Sequence, residues 1–248
     1  MSSLLPTLAV LLGVTAALPS GSIDARDSSA DGPVRILPYN WQFNITALSG
    51  PGCPDFSTTG EPFTTRPTFG SNTVDGSEIY YWHFAYPHLR AAVGADKRED
   101  SVWCETTLQY TELDEHGQPP AVPGYRLKLH TNATEMIAAY DLDEGVEVNW
   151  KFTYYVTGKL KEIVDEISIQ GPRFSTEDTD YSPEKKLVQW ALPGCGTGTI
   201  KYRTELTVRA KKDGAKGSVS SEQVNYQGKL EYYGAQQGVS YDWEKCTA

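Results

Sequence analysis

The chain has 248 residues, 39 % of them hydrophobic, enough for one large β domain or two small ones with a sizeable core. Its 32 acidic against 22 basic residues give a formal net charge of −10 and a pI ≈ 4.9, a balance that repels phosphate backbones and argues against nucleic acid as a partner. There is no apolar run of about 18 residues, so no membrane-spanning helix is expected.

The N-terminus reads as a targeting segment over residues 1–17. Leu8 to Ala17 is an apolar stretch ending in small residues, with cleavage expected after Ala16 or Ala17, although no Lys or Arg precedes it. Residues 18–38, rich in Ser, Gly, Asp and Ala, read as a flexible leader, and 39–248 as a single domain. Asn44-Ile45-Thr46 and Asn132-Ala133-Thr134 fit the N-glycosylation pattern. With an even number of cysteines, four, these signals predict a secreted, extracellular protein.

Trp41–Leu48 reads as a first strand, with Phe43, Ile45 and Ala47 on one face. The segment from Gly50 to Gly76, dense in Pro, Gly and Thr, reads as an irregular loop. Ile79–Tyr86 is a very aromatic strand, with Tyr80, Trp82 and Phe84 on one face and Tyr81 and His83 on the other. Ala91–Asp100 reads as a charged loop, and Val102–Leu113 as a strand placing Cys104, Thr106, Leu108 and Tyr110 together.

The clearest pattern lies in Tyr125–Val156. Val146, Val148, Trp150, Phe152, Tyr154 and Val156 alternate with mostly polar residues, and Asp141 to Gly145 reads as the turn of a hairpin. Val164–Gln170 and Lys186–Leu192 read as short strands around an acidic loop. Ile200–Val208 alternates cleanly, Lys211–Gly217 is a turn, and Val224–Tyr233 alternates again. Many short strands, Gly/Pro turns and no helical periodicity predict an all-β fold, an antiparallel β-sandwich (jelly-roll-like).

Four cysteines allow three pairings. Cys53–Cys104 with Cys195–Cys246 is favoured here. Each bridge closes a loop of about 50 residues, contributing roughly 4 kcal/mol in the chain-entropy model. Pro51-Gly52-Cys53 echoes Pro193-Gly194-Cys195, with Trp103 and Trp243 shortly before the other two cysteines; coincidence in a few residues explains this better than an ancient duplication does. Widely spaced cysteines with no C-x-x-C argue against zinc.

Several segments resemble the secreted four-cysteine proteins of filamentous fungi grouped as domain-of-unknown-function family 4360. They are Ser49-Gly50-Pro51-Gly52-Cys53-Pro54, Trp103-Cys104, the span from Pro123-Gly124-Tyr125 to Tyr154-Tyr155-Val156-Thr157-Gly158, Trp190 to Cys195-Gly196, and Tyr241-Asp242-Trp243-Glu244-Lys245-Cys246. The likeness covers roughly residues 40–246, and the chain departs from the pattern in lacking Gly-Ser after Cys53-Pro54. That family has no assigned activity, so the resemblance implies secretion and β architecture alone.

Motifs for chemistry are absent: no G-x-S-x-G, H-E-x-x-H or G-x-x-x-x-G-K occurs. His83, His88, His116 and His130 lack ligand spacing, Asp141 and Asp143 lack a full calcium run, and Gly194 to Gly198 reads as a turn, so no metal or cofactor is expected. Two readings remain. One is a non-enzymatic binding protein of the cell surface or host interface, with cell-wall or host glycans or proteins as partners. Its candidate ligand surface is Tyr81, Tyr155 and Tyr233, aromatics in the polar phase of their strands. The other is a glycosidase-like hydrolase using two carboxylates from Glu105, Glu147, Glu205 and Glu231, although Lys151, Lys201, Arg203 and Lys229 share those faces.

Overall fold

The computed structural model describes residues 38–55, 63–72, 80–130, 132–155, 162–183 and 190–246. The targeting segment and most of the leader lie outside these residues, as do Ile79, Val156 and most of the strand expected at Lys186–Leu192. The described residues belong to one compact unit, Val34–Ala248.

Two antiparallel sheets pack face to face. The first contains β1 (Asn40–Ser49), β5 (Glu99–Leu113), β12 (Thr197–Ala210), β8 (Val146–Tyr155) and β9 (Glu162–Gln170), in that spatial order. The second, of nine strands, runs β11 (Trp190–Ala191), β6 (Tyr125–Leu129), β16 (Ala235–Lys245), β7 (Glu135–Leu142), β13 (Gly217–Ser220) and β4 (Ala91–Val93). Within it β10 (Arg173–Tyr181) joins β7, β3 (Tyr80–Tyr86) joins β16, and β2 (Arg66–Asn72) joins β3. A separate hairpin is made of β14 (Gln223–Tyr226) and β15 (Lys229–Tyr232). The fold is therefore the all-β antiparallel sandwich that the strand pattern predicts.

Period-two alternation builds the core. From β8 come Val146, Val148, Trp150, Phe152 and Tyr154, from β12 Ile200, Tyr202, Leu206 and Val208, and from the facing sheet Phe84, Tyr86, Leu127, Met136 and Tyr140, all buried. Because many of these rings carry hydroxyls, polar bonds cross the core. Tyr86 Oη lies 2.7 Å from Tyr202 Oη and 3.1 Å from Thr106 Oγ1. Trp150 Nε1 donates to Tyr140 Oη at 3.1 Å, and Thr204 donates to Gln237. Burial pushes the Tyr86 hydroxyl up to about 12, bonds from Thr106 and Tyr202 offsetting part of the shift.

Both favoured disulfides form. Cys53–Cys104 fastens the turn after β1 to β5 and is buried; Cys195–Cys246 ties the β11–β12 crossover to the end of β16 and reaches the surface. Each bridges a sequence separation of 51.

Several expectations change. The Asp141–Gly145 turn is real, with Gly145 at φ 87, but it does not close a hairpin. β7 and β8 lie in different sheets, so the turn carries the chain across the sandwich edge, held by Asp143 N–H to Lys216 O (2.9 Å) and Lys211 N–H to Gly145 O (2.7 Å). Both strands are buried on one face only, and alternation alone does not say which neighbour each will pair with. The acidic loop contains β10, an edge strand that turns Arg173, Asp178 and Asp180 half-inward, where they bond one another, and leaves Phe174, Thr176, Thr179 and Tyr181 exposed. Part of the Gly50–Gly76 loop is β2, and the charged loop at Ala91–Asp100 begins with β4. Val224–Tyr233 is two strands, reversed at Gln227 (φ 50) and Gly228 (φ 80), the left-handed pair of a two-residue hairpin turn. In β1 the register shifts between Ile45 and Ala47, turning Ala47 outward and Leu48 toward the core.

Candidate functional site: a groove on the nine-stranded sheet

The inward side chains of β7, Met136, Ala138, Tyr140 and Leu142, leave Ile137, Ala139 and Asp141 on the outer face. In β13, Val219 turns inward and Ser218 and Ser220 outward. These outward residues are mostly small, so the sheet surface forms a trough floor. One bank is β10, on the far side of β7 from β13, with Phe174 79 % exposed. Its register shifts between Ser175 and Asp178, so Thr176 and Glu177 leave the regular ladder.

The other bank is the β14–β15 hairpin, which leaves the sheet between the end of β13 and the start of β16. Its base is closed by Tyr233 N–H to Glu222 O (3.0 Å) and Gly234 N–H to Ser221 Oγ (2.8 Å). Tyr232 faces the trough, held by the Arg90 guanidinium 4.2 Å from its ring centre.

Three depressions join end to end. The central one, ≈ 250 Å³, is bordered by Ala139, Asp141, Phe174, Ser218, Ser220 and Tyr232. A second, ≈ 300 Å³, continues over Ala92, Asp141, Asp143, Lys216 and Ser218, and a small third one of ≈ 10 Å³ reaches Glu177, Glu222 and Tyr233 at the hairpin base. The larger two sit near the lower end of ligand-site volumes, about 300 Å³. Aromatic faces on the banks can stack on apolar C–H surfaces, while serine hydroxyls, Gln223 and carboxylates can bond hydroxyls or amines.

The three tyrosines expected to share a ligand surface are not brought together. Tyr81 is buried against His83 on the nine-stranded sheet. Tyr155 lies on the outer face of the five-stranded sheet, where Lys201 Nζ stands 5.5 Å from its ring centre. Burial, with Glu105 nearby, raises the Tyr155 hydroxyl. Tyr233 borders the groove's narrow end, with the Arg66 guanidinium 4.7 Å from its ring centre. Phe174 and Tyr232 escaped sequence reasoning: β10 has no apolar alternation, and Tyr232 sat in the core-facing phase of what looked like one strand. The Gln227-Gly228 dipeptide was the available signal.

The glutamates weighed for catalysis do not form a cleft free of cations. Glu105 pairs with Lys201 (2.7 Å), Glu147 with Lys211 (2.7 Å) and Glu205 with Arg203 (3.2 Å), while Glu231 belongs to the hairpin. No group of three or more potential metal ligands exists among the described residues.

A buried polar cluster elsewhere bonds inward. Asp165 Oδ2, on the core face of β9, lies 2.7 Å from His130 Nε2 and accepts from Thr134 Oγ1 (2.5 Å) and Ser182 Oγ (3.2 Å). Burial raises the Asp165 carboxyl, but bonds from His130, Thr134 and Ser182 outweigh it and hold it low. Thr134 Oγ1 also meets Tyr154 Oη at 2.8 Å. None of these residues borders the groove. Of the two glycosylation candidates, Asn44 projects to solvent from β1, whereas Asn132 is half-buried with its backbone bonded twice to Ser240 Oγ.

No protein-family model matches the chain, and no curated protein matches it. A solved structure described as TmCBM61 in complex with beta-1,4-galactotriose is similar at 10 % identity, over 84 % of this chain and 90 % of that one, with a TM-score of 0.17. A score that low bears on neither fold nor site.

Proposed function

We propose that this chain is a secreted binding protein of the cell surface or host interface, and that its groove holds an extended glycan. The observation that carries this reading is the solvent-exposed ring of Phe174 facing Tyr232 across a floor of Ala139, Ser218 and Ser220. Leaving a phenyl ring in water with no ring partner among the described residues gains the fold nothing, whereas a sugar's C–H face would cover it. The trough is elongated, its two larger depressions meeting over Asp141 and Ser218, and it is lined by hydroxyls, which suits a chain lying along it better than a small molecule enclosed in it.

Two disulfides fit an oxidising compartment, and the resemblance to the secreted fungal four-cysteine family agrees with export. The test is a glycan array followed by calorimetry on wild type and Phe174→Ala. Binding to one glycan class, weakened about tenfold in the variant (about 1.4 kcal/mol) with an unchanged melting temperature, supports the reading. Equal binding by both proteins, or no binding to any glycan, overturns it.

A further inference from the structure

We infer that Asn44 carries the N-linked glycan of the exported protein while Asn132 stays bare, and that this sugar lies over an uncharged patch of the five-stranded sheet. Of the reading above this takes export alone; the groove lies on the other sheet.

Transfer of an N-glycan meets the chain while it is still extended, so both acceptor triplets are open to it. Folding then decides where so bulky and polar a group can be tolerated. Asn44 points outward from β1, an edge strand paired with β5 alone, and Thr46, beside it at the register shift, is exposed too. A sugar there also covers unpaired backbone of the kind that invites sheet extension. Asn132 is half-buried, its backbone bonded both ways to Ser240 Oγ and the next two residues, Ala133 and Thr134, buried. The hydroxyl of its triplet, Thr134 Oγ1, is spent inside on Asp165 and Tyr154. A branched sugar on Asn132 would press on that junction.

The surface beside Asn44 differs from the rest of its face. Cross-strand register puts Asn44, Gln109 and Thr199 in one row and Gln42, Thr111 and Thr197 in the next. All six are uncharged, and all but the half-buried Thr111 are exposed. Thr197 Oγ1 donates to Tyr110 O (2.8 Å), whereas the amides of Gln42 and Gln109 and the hydroxyls of Thr111 and Thr199 meet no protein partner among the described residues. Further along β5 and β12 the same face pairs Glu105 with Lys201 and Glu99 with Arg209. Amides and hydroxyls both donate and accept, which matches the hydroxyls of a sugar; side chains already in ion pairs have those bonds taken. The acceptor asparagine and a surface suited to its sugar thus share one row.

The test uses the full chain made in a eukaryotic host that exports glycoproteins, mapped by mass spectrometry of its peptides. Sugar is expected on Asn44 and none on Asn132; Asn44→Gln should lose the whole sugar mass and Asn132→Gln none of it. An exported chain bare at Asn44, or sugar on Asn132, overturns the assignment while the groove reading stands. A chain kept inside the cell without sugar overturns export as well. The seating is read from melting curves before and after an endoglycosidase trims the glycan to a single N-acetylglucosamine. Trimming is expected to lower the wild-type melting temperature by roughly 2–4 °C, the effect of about one hydrogen bond in a domain of this size. Gln109→Ala should remove most of that shift. Asn149→Ala, an amide in the ion-paired part of the same face, should keep it. An equal shift in wild type and Gln109→Ala, or none in either, overturns the seating.

Discussion

The outer side of β5, β12 and β8 on one sheet and the groove on the other treat charge in opposite ways. On the five-stranded sheet, β5, β12 and β8 alternate acid and base in register: Glu99 opposes Arg209, Glu105 opposes Arg203 beside Lys201, and Glu147 opposes Arg209 beside Lys211. The side-chain bond from Arg209 lowers the Glu99 carboxyl, and that from Lys211 lowers Glu147. In the groove on the nine-stranded sheet Asp141, Glu177 and Glu222 have no cationic partner among the described residues, and Phe174 is bare. Both faces belong to one acidic chain, so net charge says nothing about where charge is cancelled and where it is kept. A face that neutralises itself has little left to offer a ligand.

The largest effect is expected from cutting the staple at the β11–β12 crossover, which would blur the difference by loosening both sheets. Replacing Cys195 and Cys246 together by Ala is expected to cost about 4 kcal/mol, read as a fall in the unfolding free energy from urea melts. Mild reductant should open this surface bridge before the buried Cys53–Cys104, as mass spectrometry of alkylated peptides would show. Reduction in the reverse order would contradict the burial described.

A smaller loss probes the one core-facing carboxylate described above as fully bonded. Asp165→Ala removes a carboxylate bonded to His130, Thr134 and Ser182 and is expected to cost about 3 kcal/mol. The folded Asp165 carboxyl is held below its unfolded value, about 3.9. Its contribution is therefore complete above that pH and fades as pH falls through the lower, folded value. Acid melts of wild type and Asp165→Asn should converge as the pH falls below about 4, and parallel curves down to pH 2 would contradict it.

The smallest effects sharpen the contrast itself. A double-mutant cycle on Glu105 and Lys201 should give a coupling of roughly 0.2–1 kcal/mol that fades with salt. Asp141→Asn, with no pair to lose, should stay within about 0.5 kcal/mol of wild type. A thermal-melt coupling as large for Asp141 with any neighbouring base would erase the distinction.

Much of the scaffold was legible because its strands obey a single period. β5, β8 and β12 put Leu108, Trp150 and Tyr202 on the predicted faces, and the cysteines pair as favoured. What the sequence hid was partnership between strands. The Asp141–Gly145 turn looks the same whether it closes a hairpin or crosses between sheets, since side-chain alternation is local and pairing is not. β10 was invisible because an edge strand facing water has no apolar stripe to announce it. The groove was hidden for a related reason. Its floor consists of Ala and Ser on β7 and β13, residues with no distinctive signal, brought together from segments far apart in the chain. Tyr155 was placed in the correct phase, but its neighbours Lys201 and Glu105 belong to another strand pair and make it part of the ion-paired face.

The β14–β15 hairpin shares no backbone ladder with either large sheet and is closed by two bonds at its neck. A wall attached in this way can be lengthened, shortened or reseeded with other rings while the floor and the core beneath it keep their geometry. Diversity among relatives of this chain should therefore gather between Ser221 and Gly234. Exchanging that stretch would be the direct route to a binder of altered taste on an unaltered frame.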